Sequence, residues 1–251
     1  MLKEERFKII MKQINLHNKV LSVDLSMLLN VSEDTIRRDL KELSDHGHII
    51  RVHGGAVSNS LVRPFIADTN VYAIEEKRII ASKAVKLIDN NMTLLFEGGT
   101  TLFELTRIIP KNLDLTIFTI SPQIAVSLSE YSNINVYTIG GQLKKNHNIH
   151  VGSNTINELY RMRFDLCFMG VNALSVERGL TDIDKEVVEV NRAMLNVSKK
   201  NVMLTIAEKM NLSKRYQLSD LSNIDYLITE LDINDAQFAA YKSKYSNIKI
   251  L

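Results

Sequence analysis

VSEDTIRRDLKEL, Val31 to Leu43, is a run in which three patterns coincide. Ser32 is placed to cap a helix, because its hydroxyl can accept from the unpaired backbone N–H groups of a first turn. Glu33 and Asp34 follow where the helix dipole favours negative charge. Ile36, Leu40 and Leu43 recur at i, i+4 and i+7 and make one apolar face. Arg37 and Lys41 share a different side, with Arg38 beside them. Such a helix can dock on a protein core and enter a DNA groove at once. The alternative is a surface helix in which Asp34 and Arg38 form an ordinary i, i+4 ion pair.

The flanks decide between the two. Lys3 to Asn18 reads as a helix, with Phe7, Ile10, Met11 and Ile14 on one face. Ser22 can cap a second helix whose stripe is Leu25, Leu28 and Leu29. Asn30-Val31-Ser32 is then a tight connection. Two short helices so joined, the second bearing arginines, follow helix-turn-helix grammar. Gly47 is a C-terminal stop. Ile49 to His53 is β-prone and Gly54-Gly55 breaks it, which predicts a small hairpin, a wing, after the third helix.

The segment S-E-D-T-I-R-R-D-L followed by R-V-H-G-G-A resembles the winged helix-turn-helix of the DeoR family of bacterial transcription regulators. The resemblance implies that Ser32 to Ser44 is the recognition helix. It implies that Thr35, Arg37, Arg38 and Lys41 reach bases or phosphates of double-stranded operator DNA, and that Arg51 and His53 in the wing reach the backbone. Ser32 is both cap and phosphate donor in this scheme, and Ser22 joins the DNA-contact candidates. Which arginine reads a base stays open: arginine suits bidentate pairing with guanine, yet most arginine contacts go to phosphate.

Composition bounds the rest. The 251 residues suffice for one large or two modest domains, and 45% hydrophobic content with mixed charge fits a globular protein. No apolar run approaches the ~20 residues of a membrane helix, and M-L-K-E-E-R lacks the apolar core of a signal peptide. The single cysteine, Cys167, lies in an apolar run and reads as core. It allows neither an internal disulfide nor a multi-cysteine metal site, so a reducing cytoplasm is expected. Net charge is only +2, and residues 1–57 hold nine Lys/Arg against eight Asp/Glu. Any affinity for DNA therefore rests on where the charges sit.

Residues 1–57 are expected to form the winged domain, 58–74 a linker and 75–251 a larger domain. In the last, a helix resumes at Glu75 and the pattern then alternates. Strand-like runs are Thr93–Phe96, Leu115–Thr119, Ile134–Ile139, Leu166–Val171, Val202–Ile206, Tyr226–Thr229 and Ile248–Leu251. Helical stretches fall between most of them: Leu102–Ile109, Pro122–Leu128, Thr155–Tyr160, Lys185–Val197 and Asn234–Tyr241. This alternation predicts an α/β fold with a mostly parallel sheet covered on both faces. Ligands of such sheets bind outside the carboxyl ends of the strands. There Glu97-Gly98-Gly99-Thr100-Thr101 makes a phosphate cradle, with glycines for close approach and two hydroxyls to donate. It is neither a Walker motif nor G-x-G-x-x-G, and a purely structural turn is its alternative. Lys209, beyond another strand end, can neutralise a phosphate as a point charge, with a solvated lysine as the alternative. Gly140-Gly141 ends a further strand.

This half resembles the C-terminal effector domain of the DeoR family, similar in fold to ribose-5-phosphate isomerase and the sugar-phosphate deaminases, over about residues 75 to 230. The resemblance implies that Gly98, Gly99, Thr100 and Thr101 hold the phosphate of a phosphorylated sugar, with Lys209 nearby; Gly140 and Gly141, at another strand end, join the effector-binding candidates. Asp165 matches a family aspartate, for ligand or for structure. The helix Glu186 to Met194 should supply a carboxylate, Glu186 or Glu189. Three positions depart from the family: Glu97 where aspartate or a small residue is common, Ile120 for asparagine, and Ile206 for aspartate. Losing polar groups from the rim counts against aldose–ketose catalysis, which needs a positioned base. No catalytic residue, cofactor or metal is therefore expected. His147 and His150 lack a third ligand for zinc, Lys144 and Lys145 read as a loop, the methionines as core, and Asp182 and Asp184 as helix caps.

The expected protein is a cytoplasmic transcription regulator, a repressor of sugar-metabolism genes. It would act as a homodimer or homotetramer on operator DNA under the control of a phosphorylated sugar. The alternative is a sugar-phosphate isomerase or deaminase fused to a DNA-binding module.

Overall fold

A computed structural model describes residues 1–17, 19–58, 71–145 and 147–251. They form two compact units, one of Met1–Tyr72 and the other of Ala73–Lys144 with Asn148–Leu251. Most of the segment expected as a linker lies outside the described residues.

The first unit runs α1 (Lys3–His17), β1 (Lys19–Leu21), α2 (Ser22–Leu29), α3 (Glu33–Asp45), β2 (Ile49–Val52) and β3 (Gly55–Ser58). The apolar stripes meet in one core: Ile10, Ile14, Leu25, Leu29, Ile36, Leu40 and Leu43 pack with Ile49 and Ala56. Ser32 caps α3, its Oγ accepting from the Thr35 N–H at 3.2 Å. Gly47, at φ +76°, ends it, and the His48 N–H donates back to Leu43 O. The wing is a hairpin of β2 and β3, with β1 added antiparallel to β3. Three residues are too few to show a strand period, so β1 was not anticipated. It demands Gly55, where a Cβ would stand 1.9 Å from the Val20 carbonyl oxygen. Two expectations for α2 fail. Leu28 is exposed rather than buried. Ser22 is the first helical residue and not a cap; its backbone N–H donates to Gly54 O at 2.8 Å.

The second unit is built on a seven-stranded sheet in the order β15-β14-β12-β9-β4-β5-β6. These strands are β4 (Thr93–Phe96), β5 (Leu115–Thr119), β6 (Ile134–Thr138), β9 (Phe164–Gly170), β12 (Ser198–Leu204), β14 (Tyr226–Ile228) and β15 (Lys249–Ile250). Every neighbouring pair is parallel. Helices α4 (Ile74–Ala84), α5 (Thr100–Thr106), α6 (Pro122–Leu128), α7 (Ser153–Leu159), α8 (Lys185–Asn196) and α9 (Ala239–Lys244) connect them. All seven strands overlap the strand-like runs of the sequence; the central ones are apolar because both faces are covered, whereas β12 begins four residues early, in Ser198-Lys199-Lys200-Asn201, and the edge strand β6 is largely exposed. Cys167 is buried on β9, and burial pushes its thiol well above the usual range. The hairpin of β7 (Gln142–Lys144) and β8 (Ile149–Val151), and the antiparallel sheet of β10 (Ala173–Ser175), β11 (Gly179–Asp182) and β13 (Tyr216–Ser219), were not anticipated.

From β4 the chain adds β5 and β6 on one side, and later β9, β12, β14 and β15 on the other. The strand order therefore reverses between β4 and β9. In open α/β sheets the binding crevice opens at such a switch, beyond the carboxyl ends.

Candidate DNA-reading surface and effector site

On α3 the apolar face is turned inward and the basic groups are outside. The side chains of Arg37 and Arg38 are 61% and 82% exposed, paired with Glu33 at 3.0 Å and Asp34 at 2.8 Å. The i, i+4 pairing is thus present and compatible with DNA contact, since such pairs contribute only about 0.3–0.5 kcal/mol. Lys41 is exposed and has no ion pair among the described residues. Ser32 is exposed, and its hydroxyl lies 2.9 Å from that of the half-buried Thr35. Arg51 and His53 are exposed in the wing. Ser22 does not join this set, because it is only 5% exposed.

One residue of the motif works inward. Asp39 is buried and accepts from Arg6 Nε at 2.7 Å and Nη2 at 2.9 Å. This bidentate pair fixes α3 to α1. Its signal was available: Asp39 stands at i+3 from Ile36 and so falls on the apolar face.

In the second unit, the carboxyl ends of β4, β9 and β12 are neighbours. Glu97 follows β4, Gly170 ends β9 and Lys209 closes a short 3-10 turn after β12. The Glu97 carboxylate accepts from the Gly170 N–H at 2.8 Å and from Asn191 Nδ2 of α8 at 2.8 Å. Burial pushes the Glu97 carboxyl up to about 7, against those two hydrogen bonds, and nearby Asp182 adds to the shift. Burial also lowers Lys209, opposed by Asp182 and Glu97 and helped by Lys214. Lys77 of α4 is pushed down to about 7 by burial and then by the charge of Lys209. Lys209 thus lies within reach of the acids Glu97 and Asp182 and of two further lysines, Lys214 and Lys77, the last also countered by Glu76 and Glu104. At the mouth of the crevice Gly99, at φ +94°, turns the chain into α5, and a Cβ on Gly98 would stand 2.7 Å from Ile149 Cγ2. Thr100 and Thr101 are half-buried, and among the described residues neither hydroxyl has a hydrogen-bond partner.

Several sequence candidates lie elsewhere. Asp165 is corrected: it sits at the amino end of β9, the opposite edge of the sheet, where it accepts from the Thr93 N–H and Lys199 Nζ, each at 2.8 Å. Gly140 and Gly141 follow β6, two strands from β4, and are engaged by α7. Thr155 Oγ1 donates to Gly140 O at 2.8 Å, and a Cβ on Gly141 would stand 2.1 Å from Thr155 Oγ1. Neither Glu186 nor Glu189 reaches Glu97. They are exposed and paired with Lys144 and Arg192, and the residue α8 does supply is Asn191. Asp184 caps α8 as expected. Asp182 does not; it is buried and accepts from Asn172 Nδ2 and the Asp184 N–H. Ile120 and Ile206 are buried apolar residues. His150 is half-buried in β8, with Nδ1 2.9 Å from Ile139 O. No metal-binding cluster occurs among the described residues, and no described helix is long and apolar enough to cross a membrane.

Residues 6–62 match the model of the DeoR-like helix-turn-helix domain, and residues 72–231 that of the DeoR C terminal sensor domain. The chain is 32% identical over 248 residues to the HTH-type transcriptional regulator GolR of Listeria innocua, covering 98% of each. It is 31% identical over 239 residues to the HTH-type transcriptional repressor GlcR of Bacillus subtilis, covering 94% of this chain and 92% of that one. Among solved structures it is similar to ribose 5 phosphate isomerase A from Neisseria gonorrhoeae, with TM-score 0.41, 17% identity, and 56% and 54% of the two chains covered. With its two halves matched to the two domains of one family, this chain belongs to the DeoR family of DNA-binding transcriptional regulators and not to a family of enzymes.

Proposed function

We propose that the chain is a cytoplasmic repressor of sugar-metabolism genes whose hold on its operator is set by a phosphorylated sugar. Residues 1–57 would bind DNA, 58–74 link, and 75–251 sense the effector and oligomerise. Ser32, Thr35, Arg37, Arg38 and Lys41 would meet bases and phosphates of one half-site, with Arg51 and His53 on the adjoining backbone. One winged helix covers too few base pairs for useful specificity, so a homodimer or homotetramer on paired half-sites follows. The observation that carries the reading is the crevice beside Gly98-Gly99-Thr100-Thr101. There the threonine hydroxyls, without hydrogen-bond partners among the described residues, adjoin the strand end that carries Glu97, with Lys209 near Glu97 and Lys77 near Lys209. A phosphate dianion would be welcome among these lysines. The names of relatives fit: one is a putative aga operon transcriptional repressor of Escherichia coli O157:H7, 30% identical over 230 residues.

The test is fluorescence anisotropy on DNA upstream of the gene and its neighbours, at two salt concentrations, with and without a panel of sugar phosphates. Tight, salt-dependent binding altered by one sugar phosphate is expected. Thr100→Val should leave DNA binding intact and blunt that response. Sequence-preferring binding that no sugar phosphate alters would remove the effector half of the proposal.

A further inference from the structure

Asn191 is 3% exposed and its amide is half satisfied: Nδ2 donates to Glu97 Oε1, while Oδ1 has no hydrogen-bond partner. A buried amide oxygen without a donor is disfavoured unless something supplies one. Beside it stand the Glu97 oxygens, each with one donor and capacity for another. Asp182, also buried, adds a second carboxylate, held by Asn172 and the Asp184 N–H. The cation in their midst is Lys209, whose charge both acids already counter. The Asn191 and Glu97 oxygens are therefore open acceptors side by side, and the donor set among them is the ammonium group of Lys209. Glu97 immediately precedes the Gly98–Thr101 turn, so an anion at that turn leaves the rest of its molecule over these acceptors.

We infer that Glu97 and Asn191 select the non-phosphate end of the effector, admitting a hydroxyl-bearing carbon and rejecting a carboxylate. A hydroxyl brings a donor to Asn191 Oδ1 or to a Glu97 oxygen. A carboxylate brings only acceptors, and a negative charge against Glu97 and Asp182. The effector is then a polyol or sugar phosphate and not a phosphorylated sugar acid. The inference rests on the proposal that the effector's phosphate lies at the Gly98–Thr101 turn. Asn191 is a specificity residue that neither the glycine turn nor the acidic positions of α8 pointed to.

The test is isothermal titration calorimetry on the full chain with matched pairs: glycerol 3-phosphate and 3-phosphoglycerate, ribose 5-phosphate and 5-phosphoribonate, glucose 6-phosphate and 6-phosphogluconate. In any pair that binds, the hydroxyl member is expected to bind at least tenfold more tightly. Glu97→Gln and Asn191→Ala should each bring that ratio towards one, a change that a merely structural role would not produce. An acid that binds as well as its partner overturns the inference, and so does a ratio that neither variant moves. If a variant fails to fold, the wild-type ratio and the other variant still decide. If no member of any pair binds, the sugar-phosphate proposal itself fails and the inference falls with it.

Discussion

Arg37 and Glu97 carry charge in opposite ways. Arg37 stands in water on α3, paired with a neighbour one helical turn away. Glu97 is set deep at the end of β4, among a backbone N–H, an amide, another acid and a lysine. The first arrangement is cheap to rearrange, since an exposed i, i+4 pair contributes little and a DNA phosphate can replace Glu33 at small loss. The second is expensive to hold, since desolvation works against both acid and lysine until a ligand rebalances them. A reading surface needs charges that let go easily on a rigid frame. A sensor needs charges whose environment a ligand changes.

The rigid frame is the first place to test the contrast. Asp39→Ala leaves Arg6 without its partner under α3, and breaking such a buried pair should destabilise the first unit by roughly 2–4 kcal/mol. A fall in the thermal midpoint of that unit would show it; an unchanged midpoint would mean that the apolar face alone holds α3. Arg37→Ala should leave stability nearly alone and weaken operator binding by about 1–3 kcal/mol if it reads a base. Equal weakening on operator and random DNA would assign Arg37 to phosphate instead.

In the sensor, the signs of the pH effects differ for the two groups. Glu97 is raised from 4.5 to about 7, so between those values the native state keeps a proton that the unfolded chain has lost. Its contribution to stability is therefore lost as pH rises through that window. Lys77 is lowered from 10.5 to about 7, so above 7 the unfolded chain holds the extra proton and stability rises with pH. Together they predict a dip near neutral pH, each arm on the order of 1–2 kcal/mol once solvent screening is allowed for. Urea midpoints across pH should flatten on the acid side in Glu97→Gln and on the basic side in Lys77→Met. A wild-type curve without the dip would place both groups in water.

The same contrast governs what could be read from sequence. The reading surface lies on one continuous segment, so capping, periodicity and the wing glycines all show in a single pass. What escaped was β1, too short for a period, the inward role of Asp39, and on α2 the exposure of Leu28 and the burial of Ser22. The parallel sheet was legible because its covered strands carry apolar runs, though the polar start of β12 was not. The crevice was legible at its glycine turn and at Lys209, both at strand ends. Lys77, Asn191 and Lys214 come from three elements far apart in the chain, and nothing local distinguishes them from solvated residues. Asp165 misled because a match of residue type was set above its place: it precedes the run Leu166–Val171, and the amino end of a parallel strand lies at the edge away from a ligand.

The smallest effect separates the two kinds of charge most cleanly. Glu33→Ala removes the partner of Arg37 and an acid from the first turn of α3, and stability should fall by less than about 1 kcal/mol, from the lost pair and the lost dipole interaction. Operator affinity should rise slightly, because a negative charge leaves the DNA face and Arg37 meets phosphate without first leaving an acid. The gain should shrink as salt is raised, since the groups are exposed and screened. An anisotropy titration at two salt concentrations reads both features. If affinity instead falls, the pair with Glu33 orients Arg37 for its contact. The arginine would then be a pre-set group like those in the crevice, and not a loosely held charge on a rigid helix.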